Sequence, residues 1–128
     1  MRCFEELRIW QESRLLVKDI YALSNSLKDY GFKDQLQRAS ISIMNNIAEG
    51  SESGTDKLFV RYLNIAQGSC SEVKSMLYVC EDLQYCSNMQ AVELRIKVKN
   101  ISSGIQKLLD YLKNSINTIQ KPIKQSLQ

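Results

Sequence analysis

Histidine is absent from this 128-residue chain, proline occurs once and glycine five times, and each scarcity removes a class of explanation. Without histidine there is no Ser–His or Cys–His couple, and no Glu-x-x-His pair of the kind that holds a di-metal centre in a helical bundle. Glu49 and Glu72 alone do not make such a centre, and no local arrangement of Ser, Cys, Lys and Glu builds a nucleophile with its base. Few prolines and glycines mean few obligatory breaks, so long helices fit better than many short strands. No apolar run approaches the roughly 18 residues of a membrane span, and charged residues interrupt every apolar stretch near the N-terminus, where a secretory signal would need its apolar core. Cys3, Cys70, Cys80 and Cys86 lack C-x-x-C spacing and have no histidine to complete a zinc site. Cys70 and Cys80 fall among apolar positions as small hydrophobes. The expectation is a cytoplasmic protein with reduced thiols, no membrane association, no metal, no cofactor and no enzymatic activity.

What is present is a mild net charge of +3, from 17 basic and 14 acidic residues, distributed unevenly. Residues 1–64 carry nine of each sign, whereas residues 95–128 carry seven basic groups against Asp110 alone. That segment suits an anionic surface such as nucleic-acid phosphate, or else forms a solvated helix face with a basic tail.

Periodicity predicts four helices. The first runs from about Leu7 to Leu27, with Trp10, Val17, Ile20 and Leu27 on one stripe and Leu16 and Leu23 widening it, and Gly31 follows as its terminator. The second runs from about Lys33 to Glu49, with Leu36, Ile43 and Ile47 spaced around Ala39 or Ser40, and Ile41, Met44 and Ala48 on a second line. After the linker Gly50–Gly54, with Ser53 and Asp56 as a capping pair, the third helix extends from about Thr55 to Gln84. Its seam Phe59, Leu63, Ala66, Cys70, Val73, Leu77 and Cys80 alternates spacings of four and three, and a second seam of Leu58, Tyr62, Ile65, Ser69, Glu72, Met76, Val79 and Leu83 runs beside it. Ser87 and Gln90 cap a fourth helix reaching about Ser115, with Leu94, Val98, Ile101, Ile105, Leu108 and Leu112 as its stripe. Short loops join the four into an all-α, antiparallel up-down-up-down four-helix bundle over residues 1–116, with 117–128 as a flexible polar and basic tail around Pro122. The extra apolar lines on the second and third helices exceed what one small bundle must bury and point to self-association, although stripes this wide also occur in well-covered monomers.

Arg38, Ser42, Asn46 and Glu49 recur at spacings of four, four and three on one face of the second helix. Two readings stand: an internal polar network that fixes helix register, or direct contact with nucleic acid through Arg38. Arg61, one turn after Lys57, is placed to pair with Glu49 or to reach a phosphate. Gly50-x-x-x-Gly54 lacks the Gly-Lys-Ser/Thr of a phosphate loop. Tyr62, Tyr78, Tyr85 and Tyr111 suit either base stacking or ordinary packing.

The blocks Leu7-x-x-Trp10, Tyr30-Gly-Phe-x-x-Gln35-Leu-x-Arg38-Ala-x-x-Ser42-Ile-x-x-Asn46-Ile-Ala-Glu49-Gly50 and Phe59-x-x-Tyr62-Leu-x-Ile65-Ala-x-Gly68-Ser69-x-x-Glu72 resemble the bacterial four-helix bundle proteins encoded in intervening sequences of 23S ribosomal RNA. That group also includes accessory proteins of diversity-generating retroelements. The resemblance covers about residues 4–115. It implies a ring-like homopentamer with a mostly non-enzymatic role in binding nucleic acid, and in the retroelement branch a reverse transcriptase and its template RNA as partners. It carries over Arg38, Ser42, Asn46, Glu49, Gly50, Phe59, Tyr62, Gly68, Ser69 and Glu72 as signature positions. Ser26–Asp29 departs from the pattern, where a proline and an acidic residue are usual, and the slight positive surplus favours the ribosomal-insert or an uncharacterised branch over the more basic retroelement one.

The function expected is therefore a homo-oligomeric bundle that binds RNA, or less readily DNA, through phosphate contacts. Arg38, Arg61, Arg95, Lys97, Lys99, Lys107, Lys113, Lys121 and Lys124 are the candidates. The alternative is a protein-interaction scaffold that does not touch nucleic acid.

Overall fold

The computed structural model describes residues 3–126, with side chains as far as residue 118. A short 3-10 turn (Phe4–Glu6) leads into α1 (Arg8–Ser24), α2 (Tyr30–Ser51), α3 (Asp56–Asp82) and α4 (Asn88–Ser126). Each helix packs on its neighbour in the chain and α4 closes back on α1, while the diagonal pairs stay apart among the described residues. Contacts between helices give their directions. Gln35, Ser42 and Gly50 of α2 meet Glu72, Ser69 and Phe59 of α3, and Ile9 and Asp19 of α1 meet Gly104 and Lys97 of α4. Numbers rise on one helix as they fall on the other, so these pairs run antiparallel around a single core. No helix among the described residues is long and apolar enough to cross a membrane.

The core is built as the seam patterns predict for α2, α3 and α4. All seven residues of the first α3 seam are buried, as are Leu36, Ala39, Ser40, Ile43 and Ile47 on α2. On α4 the buried line is Ala91, Leu94, Val98, Ile101, Ile105, Leu109 and Leu112, with Leu108 only partly covered. Helix α1 differs from its predicted stripe. Ile9, Ser13, Leu16, Ile20 and Ser24 face inward, while Trp10, Val17 and Leu27 are half-buried. The two serines are fully buried because each hydroxyl donates to the carbonyl one turn back, Ser13 to Ile9 and Ser24 to Ile20, both at 2.6 Å, which satisfies the group within its own helix.

The helix ends also refine the expectation. α1 stops at Ser24, and Gly31 lies in the first turn of α2 rather than terminating α1. Asp29 caps α2 by accepting from the Phe32 amide at 3.3 Å. Tyr85 donates its hydroxyl to the same carboxylate at 2.8 Å and sets its ring edge-on to Phe32, tying the α1–α2 loop to the α3–α4 turn; chiefly through that hydrogen bond, the Tyr85 phenol is held above its ordinary pKa. The cap of α3 is Thr55, accepting from the Leu58 amide, whereas Ser53 donates to the Gly50 carbonyl. Ser87 and Gln90 form the predicted reciprocal capping box on α4. Backbone helix in α4 continues to Ser126, past the end expected near Ser115 and through Pro122. Ile116 remains half-buried and Thr118 donates back to the Asn114 carbonyl at 2.8 Å, so a polar composition there does not end the helix. The tail lysines Lys121 and Lys124 lie outside the described side chains.

The α3–α4 turn contains one departure from ordinary backbone conformation. The Tyr85 amide donates to the Cys80 carbonyl at 2.8 Å and the Gln84 amide to Glu81 at 3.1 Å, the paired bonds of a Schellman ending, with Gln84 at φ +60° where glycine is usual. Gln84→Gly is expected to raise unfolding free energy by about 0.5–1 kcal/mol, measured by urea denaturation, because the left-handed conformation penalises a Cβ.

Candidate functional site

The signature residues of α2 and α3 converge on one helix interface. Ser42 and Ser69 share a hydrogen bond of 2.8 Å, and the Asn46 amide donates to the Ser42 carbonyl at 2.8 Å and to its hydroxyl at 3.0 Å. One end of this seam is closed by Gln35, which donates to Glu72 at 3.1 Å. At the other end Gly50 lies against Phe59 and Tyr62 so closely that a Cβ there would sit 2.8 Å from each. Glu49 and Gly68 are exposed beside the seam. Polar groups alternating with close-packed small residues fix which turn of α2 meets which turn of α3. Arg38 and Arg61 stand on the outer surface: Arg38 is held by Asp34 one turn earlier at 2.8 Å, and Arg61 forms no ion pair with Glu49 among the described residues.

The basic residues of α4 whose side chains are described divide into three groups. Arg95 is drawn inward, its side chain only 14% exposed, with the guanidinium 4.0 Å from the centre of the Tyr78 ring and Nη2 3.8 Å from Glu81. Nη1 is buried without a hydrogen-bond partner. Its stem and planar head fill the space between α3 and α4, which removes it from the surface where it was expected. Lys97 reaches across to Asp19 at 2.7 Å. Lys99, Lys107 and Lys113 are exposed and, among the described residues, form no ion pair.

A groove of about 630 Å³ separates the outer edges of α1 and α4. Lys97 and Lys107 line it, as do Arg8, Glu12 and Leu15 from α1 and Asn100 and Ser103 from α4. The close approach of the helices at its floor is set by Gly104, where a Cβ would meet Ile9 Cγ2 at 2.6 Å. Arg8 escaped the sequence reading because α1 and α4 lie far apart in the chain, and no local spacing reports a residue's neighbours across such a distance.

Cys70 and Cys80 are buried and Cys86 is half-buried, whereas Cys3 is exposed. Burial pushes Cys70 and Cys80 up to about 12 and raises Cys86 as well, so these cysteines remain protonated and weakly nucleophilic at neutral pH. Among the described residues no group of His, Cys, Asp and Glu is arranged to hold a metal.

No curated protein matches the sequence. The fold is shared with the crystal structure of a protein of unknown function from the S23 ribosomal protein family of Bacteroides thetaiotaomicron, with a TM-score of 0.74 and 21% identity over 79% of this chain and 97% of that one. The family described as 23S rRNA-intervening sequence protein matches residues 5–107, a stretch that contains the whole α2–α3 seam and both walls of the groove. With four-fifths of its length matched, this chain belongs to the 23S rRNA-intervening sequence protein family.

Proposed function

We propose that the protein is a non-enzymatic, cytoplasmic, self-associating helical bundle that binds nucleic acid, RNA ahead of DNA, mainly through phosphate contacts. The observation that carries this reading is the run of residues 95–128, whose net charge is +6, together with the exposure of Lys99, Lys107 and Lys113. Lysines without intramolecular partners keep their full charge available to phosphate and release condensed counterions when they bind it. Self-association is supported by the second α3 seam, where Leu58, Ile65, Val79 and Leu83 are 37–51% exposed. Five subunits is the number the family resemblance implies, and a reverse transcriptase is the protein partner implied by its retroelement branch. The competing reading, a scaffold without direct nucleic-acid contact, is favoured by the withdrawal of Arg95 and the pairing of Lys97 with Asp19.

The test is binding of labelled structured RNA, single-stranded RNA and duplex DNA to protein freed of co-purified nucleic acid, across a salt series. Saturable binding at micromolar affinity or tighter is expected, falling with log salt by roughly 0.7 per phosphate contact on single strands. Combining Lys99→Glu, Lys107→Glu and Lys113→Glu is expected to weaken it at least tenfold for unrelated sequences alike. Absence of binding near physiological ionic strength would select the scaffold.

A further inference from the structure

We infer that the groove between α1 and α4 seats one unpaired strand of RNA. The inference rests on the nucleic-acid reading above and narrows it to a single cleft. The volume of about 630 Å³ falls within the roughly 300–1,000 Å³ of ligand sites, room for part of a single strand. Cations stand at both ends: Arg8 and Lys107 at one, Lys97 at the other. Lys97 and Lys107 are ten residues apart on α4, about 15 Å by helical rise, the reach of roughly four stacked nucleotides at 3.4 Å each.

Between the cations the groove is not merely electrostatic. Leu15 lines it while 61% exposed, an apolar surface that suits the face of an unpaired base and has no use for a duplex, whose bases are already stacked. Asn100 and Ser103 on the facing wall supply hydrogen-bonding groups for a base edge or a 2′-hydroxyl. The existing ion pairs do not close the site. Arg8 lies 2.8 Å from Glu12 with its side chain 90% exposed, and Lys97 lies 2.7 Å from Asp19 at 54%; exposed pairs of this kind are weak, and a phosphate can replace the carboxylate. Lys107 has no such pair to give up.

Two double charge reversals, equal in net charge, isolate the groove. One is Arg8→Glu with Lys107→Glu. The other is Lys99→Glu with Lys113→Glu, which lie one turn past Arg95 and two turns past Gln106, on the side of α4 that faces α3. All four positions are exposed, and thermal melts are the check that each variant is folded. With a labelled mixed-sequence single-stranded RNA, the groove pair is expected to lose at least tenfold more affinity than the matched pair. The uncharged change Leu15→Ala is expected to weaken binding several-fold with the salt slope unaltered. Equal losses from the two pairs overturn the groove and leave diffuse phosphate binding standing, whereas wild-type protein that binds no nucleic acid overturns the functional reading itself and the groove with it. Duplex RNA binding as tightly as single strand overturns the unpaired-strand assignment. The same sequence as DNA is expected to bind more weakly, and equal binding overturns the contact to the 2′-hydroxyl.

Discussion

Replacing Gly50 with alanine is expected to lower unfolding free energy by about 2 kcal/mol, while the same replacement at Gly68 is expected to raise it by about 0.5–1 kcal/mol. Both glycines lie within helices and neither has a positive φ, so in each the backbone favours alanine and only the surroundings differ. At Gly68 nothing lies within 4 Å of an added Cβ, and the propensity gain is kept. At Gly50 the new methyl would stand 2.8 Å from Phe59 Cδ1 and 2.8 Å from Tyr62 Cβ. The phenyl ring is 2% exposed and packed into the core cluster, and the tyrosine Cβ is anchored to the α3 backbone. Relief therefore requires the last turn of α2 and the first turns of α3 to separate, which strains the seam through Ser42 and Ser69. Urea denaturation measures both variants, with the midpoint moving and the slope unchanged. A Gly50→Ala protein as stable as wild type would mean that the helices slide apart without loss, and that the small residue is not what fixes their approach.

The parts of this fold that sequence periodicity reported well are those where one residue type does one job. Phe59 through Cys80 on α3 alternate by four and three, and every member of that seam is buried. Helix α1 read less clearly because Ser13 and Ser24 occupy core positions. A serine whose hydroxyl returns to the carbonyl of the preceding turn behaves as a small, satisfied residue, but in a hydropathy pattern it looks like a solvent position and rotates the apparent stripe toward Trp10. Termination misled for a related reason. Glycine is the usual sign of a left-handed helix ending, yet Gly31 sits in the first turn of α2 and the left-handed residue of the α3–α4 turn is Gln84. There the ending is held by tertiary contacts of Tyr85 with Phe32 and Asp29, partners more than fifty residues away in the chain that no local pattern contains.

The candidate site divides along the same line. The spacing of Ser42, Asn46 and Glu49 puts three polar groups along α2, and the structure shows Asn46 donating to Ser42 and Ser42 bonded in turn to Ser69, while Glu49 is exposed. Whether a cation on α4 is free, however, depends on what the neighbouring helix places opposite it. Arg95 and Lys99 are one turn apart and alike in sequence, but Tyr78 and Glu81 draw one inward while the other remains exposed. Lys97 and Lys107 acquire Arg8 as a neighbour only because α4 packs back on α1.

The two seams of α3 give opposite responses to truncation and charge. Leu63→Ala removes a fully buried side chain from the middle of the core and is expected to cost about 3 kcal/mol, the transfer term together with the cavity left between close-packed helices. Ile65, two residues on, is 47% exposed, so within one bundle Ile65→Arg forfeits little apolar burial and is expected to cost less than about 1 kcal/mol. Its effect is expected in assembly instead. Leu58, Ile65 and Val79 repeat at multiples of seven residues along one line of α3, and a second copy laid on that line would bury Ile65 and leave an arginine there desolvated and unpaired. Because assembly stabilises the folded state by mass action, the wild-type denaturation midpoint is expected to rise with protein concentration. Ile65→Arg is expected to abolish that rise and to shift sedimentation toward the monomer, while Leu63→Ala lowers the midpoint at every concentration. If Ile65→Arg leaves both sedimentation and the concentration dependence as in wild type, self-association runs through another face, and the exposed seam of α3 is only solvated surface.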